Sequence, residues 1–293
     1  MDSTHAAPAS HVVSVFAVDG RGGNAATITL GAEQLSTAEM QAIARDAGHE
    51  CGFVVAAPPG AAFDATFRFF VPRHEMEMCG HATLGALWVL HRLGQLPPRD
   101  RIEIATLSGI VTGRIDQRDT PAARIAISQP AGTVSAIPDP GYTARIAAVL
   151  GTTASDLAAA PIVNAATSRV KTLVPLTSPD AVHRLQPDFA RIEALCDDLG
   201  STGLYPYAPV DLEHHSFEAR QFPKASGYPE DPATGIAASA LAFGLLARGL
   251  VRAKDDISIY QGRAMGRLSR IQVAFHQTAT SVSGCWVTGD VTG

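Results

Sequence analysis

The segment Glu230-Asp231-Pro232-Ala233-Thr234-Gly235-Ile236 sets an acidic pair before a tight Pro/Gly turn. The turn opens an apolar run, Ala237 to Leu250, rich in Ala and Leu, the strongest helix formers. The run is apolar on every side until Arg248, which predicts a helix buried all round rather than an amphipathic one. The first N–H groups of such a helix lie inside the protein and form a ready site for a small anion. Asp231 beside an anion site is a layout for acid–base chemistry on a small carboxylate.

The same design occurs earlier. Arg68-Phe69-Phe70-Val71-Pro72 leads to Cys79-Gly80-His81-Ala82-Thr83-Leu84-Gly85-Ala86 and a second apolar helix running to Leu93, as Arg220-Gln221-Phe222-Pro223 leads to the segment above. Aligning Pro72 with Pro223 places Gly80 on Asp231, Ala82 on Ala233, Thr83 on Thr234 and Ala86 on Ala237. One strand–loop–buried-helix unit is thus used twice, a repeat on the scale of whole domains. His81 holds the place in the first copy that corresponds to Asp231 in the second. Each also has a structural reading: His81 as a hydrogen-bonded core histidine, Asp231 as a helix cap. Cys79 precedes a helix N-terminus, where a thiolate would be stabilised. A two-thiol racemase needs a second cysteine at the matching site, and Asp231-Pro232 stands there instead.

Other chemistries lack their residues. There is no Gly-x-Ser-x-Gly elbow for a serine hydrolase. Glu213-His214-His215 and His74-Glu75 lack metal-ligand spacing and read as exposed turns, so no metal is expected. Gly20-x-Gly22-x-x-Ala25 has the form of a dinucleotide fingerprint, but Thr27-Ile28-Thr29-Leu30 is β-branched and predicts a second strand of a hairpin where the fingerprint needs a helix.

The length of 293 residues allows two domains, each with its own core. A net charge of −5 gives no basic face for nucleic acid or acidic membranes, and no apolar stretch is long enough for a membrane span. Met1 to Ser10 has no signal-peptide pattern and reads as a loose tail. Cys51, Cys79, Cys196 and Cys285 lie far apart, which fits a reducing cytoplasm better than a disulfide framework. Ser36-Thr37-Ala38-Glu39 is a capping box that starts a helix ended by Gly48, with Asp46 in its last turn, where an acid opposes the helix dipole. Gln129 to Tyr142, rich in Pro and Gly, reads as the linker between domains 1–128 and 129–293. Each half alternates short strands with one buried helix. The fold class expected is α+β: two similar domains, each a curved, mostly antiparallel sheet around a central helix, with terminal strands free to cross between domains.

These residues resemble a known family, the phenazine-biosynthesis isomerase-like (PhzF-like) proteins of the diaminopimelate epimerase fold. The matching pieces are Val18-Asp19 with Gly23-Asn24-Ala25-Ala26, Met40 to Asp46, Arg68 to Pro72, Cys79 to Gly85, Glu230 to Gly235, and Gln261-Gly262 with Gly266-Arg267. They run in family order along almost the whole chain. The resemblance implies a cofactor-independent isomerase or epimerase that shifts a proton on a small carboxylate, acting as a homodimer from a cleft between its domains. It implies Asp46 in the place of the family's glutamate base, His81 and Asp231 on the substrate side, and backbone clamps at Gly80 and Gly235, with Thr83, Thr234 and Ile236 lining the substrate. Asp46 is one methylene shorter than a glutamate, and a displacement of ~1 Å at a reacting group can cost about a hundredfold in rate. Ile236 takes the place of the family's serine. Both departures imply a different substrate or a weakened proton transfer. Glu50 is an alternative base, beyond Gly48 and outside the helix. Two further readings are a thiol-assisted racemase using Cys79 and a small-molecule-binding protein that has lost catalysis.

Overall fold

The computed structural model describes residues 8–120, 122–137, 139, 141–278 and 281–293. Two compact units divide the chain: Met1–Gly20, Asn24–Ser128 and Thr288–Gly293 form one, Arg21–Gly23 and Gln129–Val287 the other.

In the first unit the elements run β1 (Ala9–Ala17), β2 (Asn24–Leu30), α1 (Thr37–Ala47), β3 (Cys51–Ala56), β4 (Ala65–Phe70), β5 (Glu75–Met76), α2 (Gly80–Arg92), β6 (Arg101–Thr106), β7 (Gly109–Asp116) and β8 (Arg124–Pro130). The second unit carries β9 (Thr133–Ala136), α3 (Tyr142–Leu150), β10 (Val163–Ala166), β11 (Val170–Pro175), α4 (Pro179–His183), α5 (Phe189–Leu199), β12 (Gly203–Asp211), β13 (Ser216–Ala219), β14 (Phe222–Pro223), α6 (Gly235–Ala247), β15 (Asp256–Gln261), β16 (Ser269–Gln277) and β17 (Val282–Thr288). The last strand, β18 (Asp290–Thr292), returns to the first unit and pairs antiparallel with β1.

Strand pairing is mostly antiparallel, and each parallel pair marks a helical crossover, which a parallel connection requires. In the first unit α1 links the parallel pair β2 and β3, and α2 links β4 and β6. In the second, α4 and α5 link β11 and β12, and α6 links β13 and β15. The two units therefore repeat one plan: an outer crossover followed by a central one. The central helices α2 and α6 are each 13 residues long. Helix α2 packs on β1, β2 and β3, and α6 on β9, β10, β11 and β16. Close approach explains a glycine in each. A Cβ on Gly85 would lie 2.9 Å from Val13 Cγ2, and one on Gly244 would lie 2.4 Å from Leu173 Cδ1.

Local signals explain the boundaries. Ser36 and Glu39 form the reciprocal capping box of α1, and Gly48 ends that helix in the left-handed region at φ 71°. The Gly-rich turn after β1 leads into an antiparallel hairpin, Val15 opposite Asn24, so the dinucleotide fingerprint has no helix to serve. Two expectations change. Ala9 and Ser10, read as tail, begin β1, while the rest of that tail up to residue 7 lies outside the described residues. The expected linker contains β9, which pairs with β10; residues 138 and 140 of that stretch lie outside the described residues. None of the described helices is long and apolar enough to cross a membrane.

Candidate active-site groups

The first unit builds its polar centre where β3 begins and α2 begins. After Gly48 turns the chain, Glu50 immediately precedes β3, and its carbonyl accepts from Thr27 N–H at 3.3 Å. That anchor fixes the Glu50 backbone beside β2. Its side chain is only 5% exposed, as is His81 in the first turn of α2. Glu50 Oε2 stands 4.0 Å from His81 Nε2, an ion-pair distance beyond direct hydrogen bonding. The other ring nitrogen, Nδ1, lies 3.4 Å from Cys79 Sγ, which fixes how the imidazole is turned. Cys79 is the N-cap of α2 and makes no side-chain cap bond to the helix. Gly80 leaves the helix start uncovered; a Cβ there would meet only Ile127 Cδ1, at 3.6 Å. Thr83 is fully buried and turns its hydroxyl back to Cys79 O at 2.8 Å, inside the helix. Asp46 is elsewhere in character: it is solvent-exposed in the last turn of α1. The carboxylate that meets His81 is that of Glu50.

The second unit builds its centre at the start of α6. Arg220 and Glu230 are both buried and joined by two parallel bonds, Nε to Oε1 at 2.9 Å and Nη2 to Oε2 at 2.8 Å. Arg220 also donates to Leu185 O at 2.9 Å. Next to this clamp, Asp231 N–H donates to Gln221 O at 3.1 Å. Thr234, the N-cap of α6, donates its hydroxyl to the Asp231 carboxylate rather than capping the helix. Gln261 donates to Asp231 O at 2.7 Å and accepts from Tyr205 OH at 2.9 Å. Burial pushes the Tyr205 phenol well above its ordinary range, with the charges of Asp231 and Glu218 adding to it. Tyr205 is therefore a fixed donor and not a titrating group. Gly235 and Ile236 are buried in the first turn of α6.

The thiols are quiet. All four cysteines are free and buried. Burial raises Cys51, Cys196 and Cys285 to about 11, so these three stay protonated. Among the described residues no group of His, Cys, Asp and Glu is arranged to hold a metal ion. A cavity of about 500 Å³ opens at the far end of α2, around Leu90, Leu93 and Phe67, and includes neither His81 nor Glu50.

Sequence reasoning singled out His81 and Asp231 from their place at helix starts. It set Glu50 second to Asp46 and did not single out Lys171, Tyr205 or Gln221. One visible signal was available for Lys171: it is the only charge in the apolar run Val170 to Leu176.

Comparison with known proteins agrees with this architecture. The phenazine biosynthesis-like protein family (PhzC-PhzF) matches residues 13–290. An uncharacterised isomerase of Deinococcus radiodurans is 31% identical over 96% of this chain and 90% of its own length. Trans-2,3-dihydro-3-hydroxyanthranilate isomerase of Pseudomonas aeruginosa is 29% identical over 95% of this chain and 94% of its own. Among solved structures, a PhzF-family phenazine biosynthesis protein of Bacillus anthracis superposes with a TM-score of 0.85 at 24% identity, covering 98% of this chain and 97% of that one. A hydroxyproline epimerase of Agrobacterium vitis shares the fold more distantly, with a TM-score of 0.63 at 13% identity, over 100% of this chain and 92% of that one. With the family matched from near one end to near the other and relatives named as isomerases, this chain belongs to the phenazine biosynthesis-like family of isomerases.

Proposed function

We propose that the chain moves a proton between carbon positions of a small carboxylate, with Glu50 rather than Asp46 as the base. The observation that carries this is the buried Glu50 carboxylate 4.0 Å from His81 Nε2 at the start of α2. A base needs a carboxylate held away from bulk water and close to a partner that can pass on the proton. Glu50 meets both conditions, whereas Asp46 is exposed to solvent. Glu50 takes a proton from a carbon next to an electron-withdrawing group. The electron pair of that C–H bond moves into the adjacent π system, and the proton returns at another carbon, from Glu50 or through His81. The first N–H groups of α2, from Gly80 to Thr83, stabilise the negative charge that develops. Substrate and product have the same oxidation state, so the shift uses side chains alone and calls for no electron-carrying cofactor.

In the second unit Asp231, with Thr234 and Gly235, supplies polar contacts of the same kind at the start of α6, and Ile236 gives that end an apolar wall. The substrate class is a small cyclic or amino carboxylate; the substrate named for the Pseudomonas aeruginosa relative is one such molecule. The protein works as a homodimer in the cytoplasm, which light scattering and fractionation would check. Incubation in D₂O with a panel of such carboxylates, read by NMR, tests the reaction. Deuterium should enter one carbon position with wild type and not with Glu50→Gln. Deuterium uptake by Glu50→Gln at the wild-type rate would refute the assignment.

The Cys79 Sγ···His81 Nδ1 contact supports a second reading, in which the thiol shares in proton transfer. It requires that iodoacetamide inactivate the enzyme and that substrate protect it. Turnover by Cys79→Ala at the wild-type rate removes it.

A further inference from the structure

Beside Asp231 the second unit holds two buried polar side chains that the proton transfer does not use. Lys171 lies on β11 and is 5% exposed; its ammonium makes no hydrogen bond to any described residue. It is one residue before Thr172, which pairs with Leu204, so Lys171 lies alongside Gly203. Gln221 is 1% exposed, and neither its amide nitrogen nor its amide oxygen has a hydrogen-bond partner. Its Nε2 sits over Gly203, where a Cβ would be 2.3 Å away. A side chain at position 203 would fill the space that the Gln221 amide occupies beside Lys171. Through its backbone Gln221 is paired with Asp231, at the foot of α6.

Burying a lysine and a bare amide costs free energy unless something meets them. The three groups present a defined pattern. Lys171 and Gln221 Nε2 offer donors and a positive charge, while Gln221 Oε1 and the Asp231 carboxylate offer acceptors. A simple anion satisfies the donors and leaves Gln221 Oε1 unmet. A simple amine satisfies the acceptors and is repelled by Lys171. A molecule carrying a carboxylate with an amine or hydroxyl on a neighbouring carbon satisfies both. Burial, helped by the charge of Arg169 and opposed by Asp231, lowers the Lys171 ammonium to about 8, so near neutral pH it is still mostly charged.

We infer that Lys171 and Gln221 form a recognition site, at the foot of α6, for a small carboxylate that carries a neighbouring hydrogen-bond donor. Lys171 binds the carboxylate, Gln221 bridges the two groups, and Asp231 takes the donor. The inference rests on the proposed reaction only in placing the ligand among small carboxylates.

The test is calorimetric titration of the full chain with anthranilate, benzoate and aniline, which share one ring and differ in the two groups. Anthranilate should bind at least about tenfold more tightly than either of the others, the factor expected for one charge-assisted hydrogen bond. Lys171→Met and Gln221→Met, of similar length and without the polar atoms, should each lower anthranilate affinity about tenfold or more. Circular dichroism establishes that each variant is folded, and the comparison of the three probes on wild type stands without any variant. Equal binding of all three probes, no binding of any at millimolar concentration, or unchanged affinity in both folded variants overturns the inference. Glu50→Gln separates this from the reaction. If it loses deuterium exchange while Lys171→Met binds anthranilate as wild type does, the recognition site falls and the base assignment stands. The reverse pair of results sinks the base assignment and keeps the site.

Discussion

Shortening or neutralising the carboxylate at position 50 is the most direct perturbation of the proposed chemistry. Glu50 is held at its backbone by Thr27 and at its tip by the approach to His81, 4.0 Å away, so the chain offers little slack for a shorter side chain. Glu50→Asp withdraws the carboxylate by ~1 Å, and a misplacement of that size at a reacting group costs about a hundredfold in rate. Glu50→Gln keeps the size and removes the base, which should cost on the order of 10²–10⁴ in rate. Asp46→Asn, at an exposed helix end, should leave the rate within about twofold and the stability within about 0.5 kcal/mol. It removes an acid from the last turn of α1, where the helix dipole disfavours one, so any stability change should be upward. The assay is deuterium incorporation by NMR at saturating substrate, with a urea midpoint for every variant to separate misfolding from lost chemistry. Loss of exchange in Asp46→Asn together with retention in Glu50→Gln, both folded, would refute the reasoning and return the base to α1.

Three further outcomes follow from the second unit. Arg220→Met leaves Glu230 buried without its two parallel bonds and should destabilise by about 3–5 kcal/mol in urea unfolding. The double variant Arg220→Met/Glu230→Met should cost much less than the sum of the two singles, because no charge is then stranded; an additive result would show that the pair is not coupled. Gly203→Ala puts a Cβ 2.3 Å from Gln221 Nε2 and 2.8 Å from the backbone oxygen of Phe222, so it should cost about 1–3 kcal/mol and shift Gln221; a wild-type midpoint would refute the close approach. Lys171→Met should be more stable than wild type at pH 7, by on the order of 3 kcal/mol, since folding lowers the ammonium from near 10.5 to about 8 through burial, with Arg169 adding to it and Asp231 and Cys196 opposing. Between those values the unfolded chain binds the extra proton, so wild-type stability rises with pH and the gap to Lys171→Met should close from pH 8 to 10.5. A gap that does not change with pH would refute the charged, buried state.

How far the sequence discloses this protein depends on whether the cause of a feature is local or distant. The two central helices are legible because Ala and Leu on every side leave no face for water, and the capping box of α1 because Ser36 and Glu39 are three residues apart. The hairpin is legible because Thr27 to Leu30 is β-branched, which outweighs the glycine spacing before it. The strand β9 is not, because a four-residue strand in a Pro- and Gly-rich stretch exists only by pairing with β10, some thirty residues on. The base shows the same limit more sharply. In the sequence Asp46 stands in a predicted helix and Glu50 in an apparent loop, and a helix looks like the better platform. The last turn of α1 faces solvent, however, and Gly48, in its left-handed conformation, redirects the chain so that Glu50 enters beside β2 and is buried against the first turn of α2. Glu50 and His81 are 31 positions apart, and their meeting depends on β3 pairing parallel to β2 and on α2 packing over both. Lys171 and Gln221 are a stronger case. A lysine in an apolar strand and a glutamine after an arginine are each unremarkable, and only the missing side chain at Gly203 puts the two beside each other. A residue's chemistry can be read from its type, but whether that chemistry is used depends on which distant strand buries it, and here a glycine between two polar side chains makes that choice.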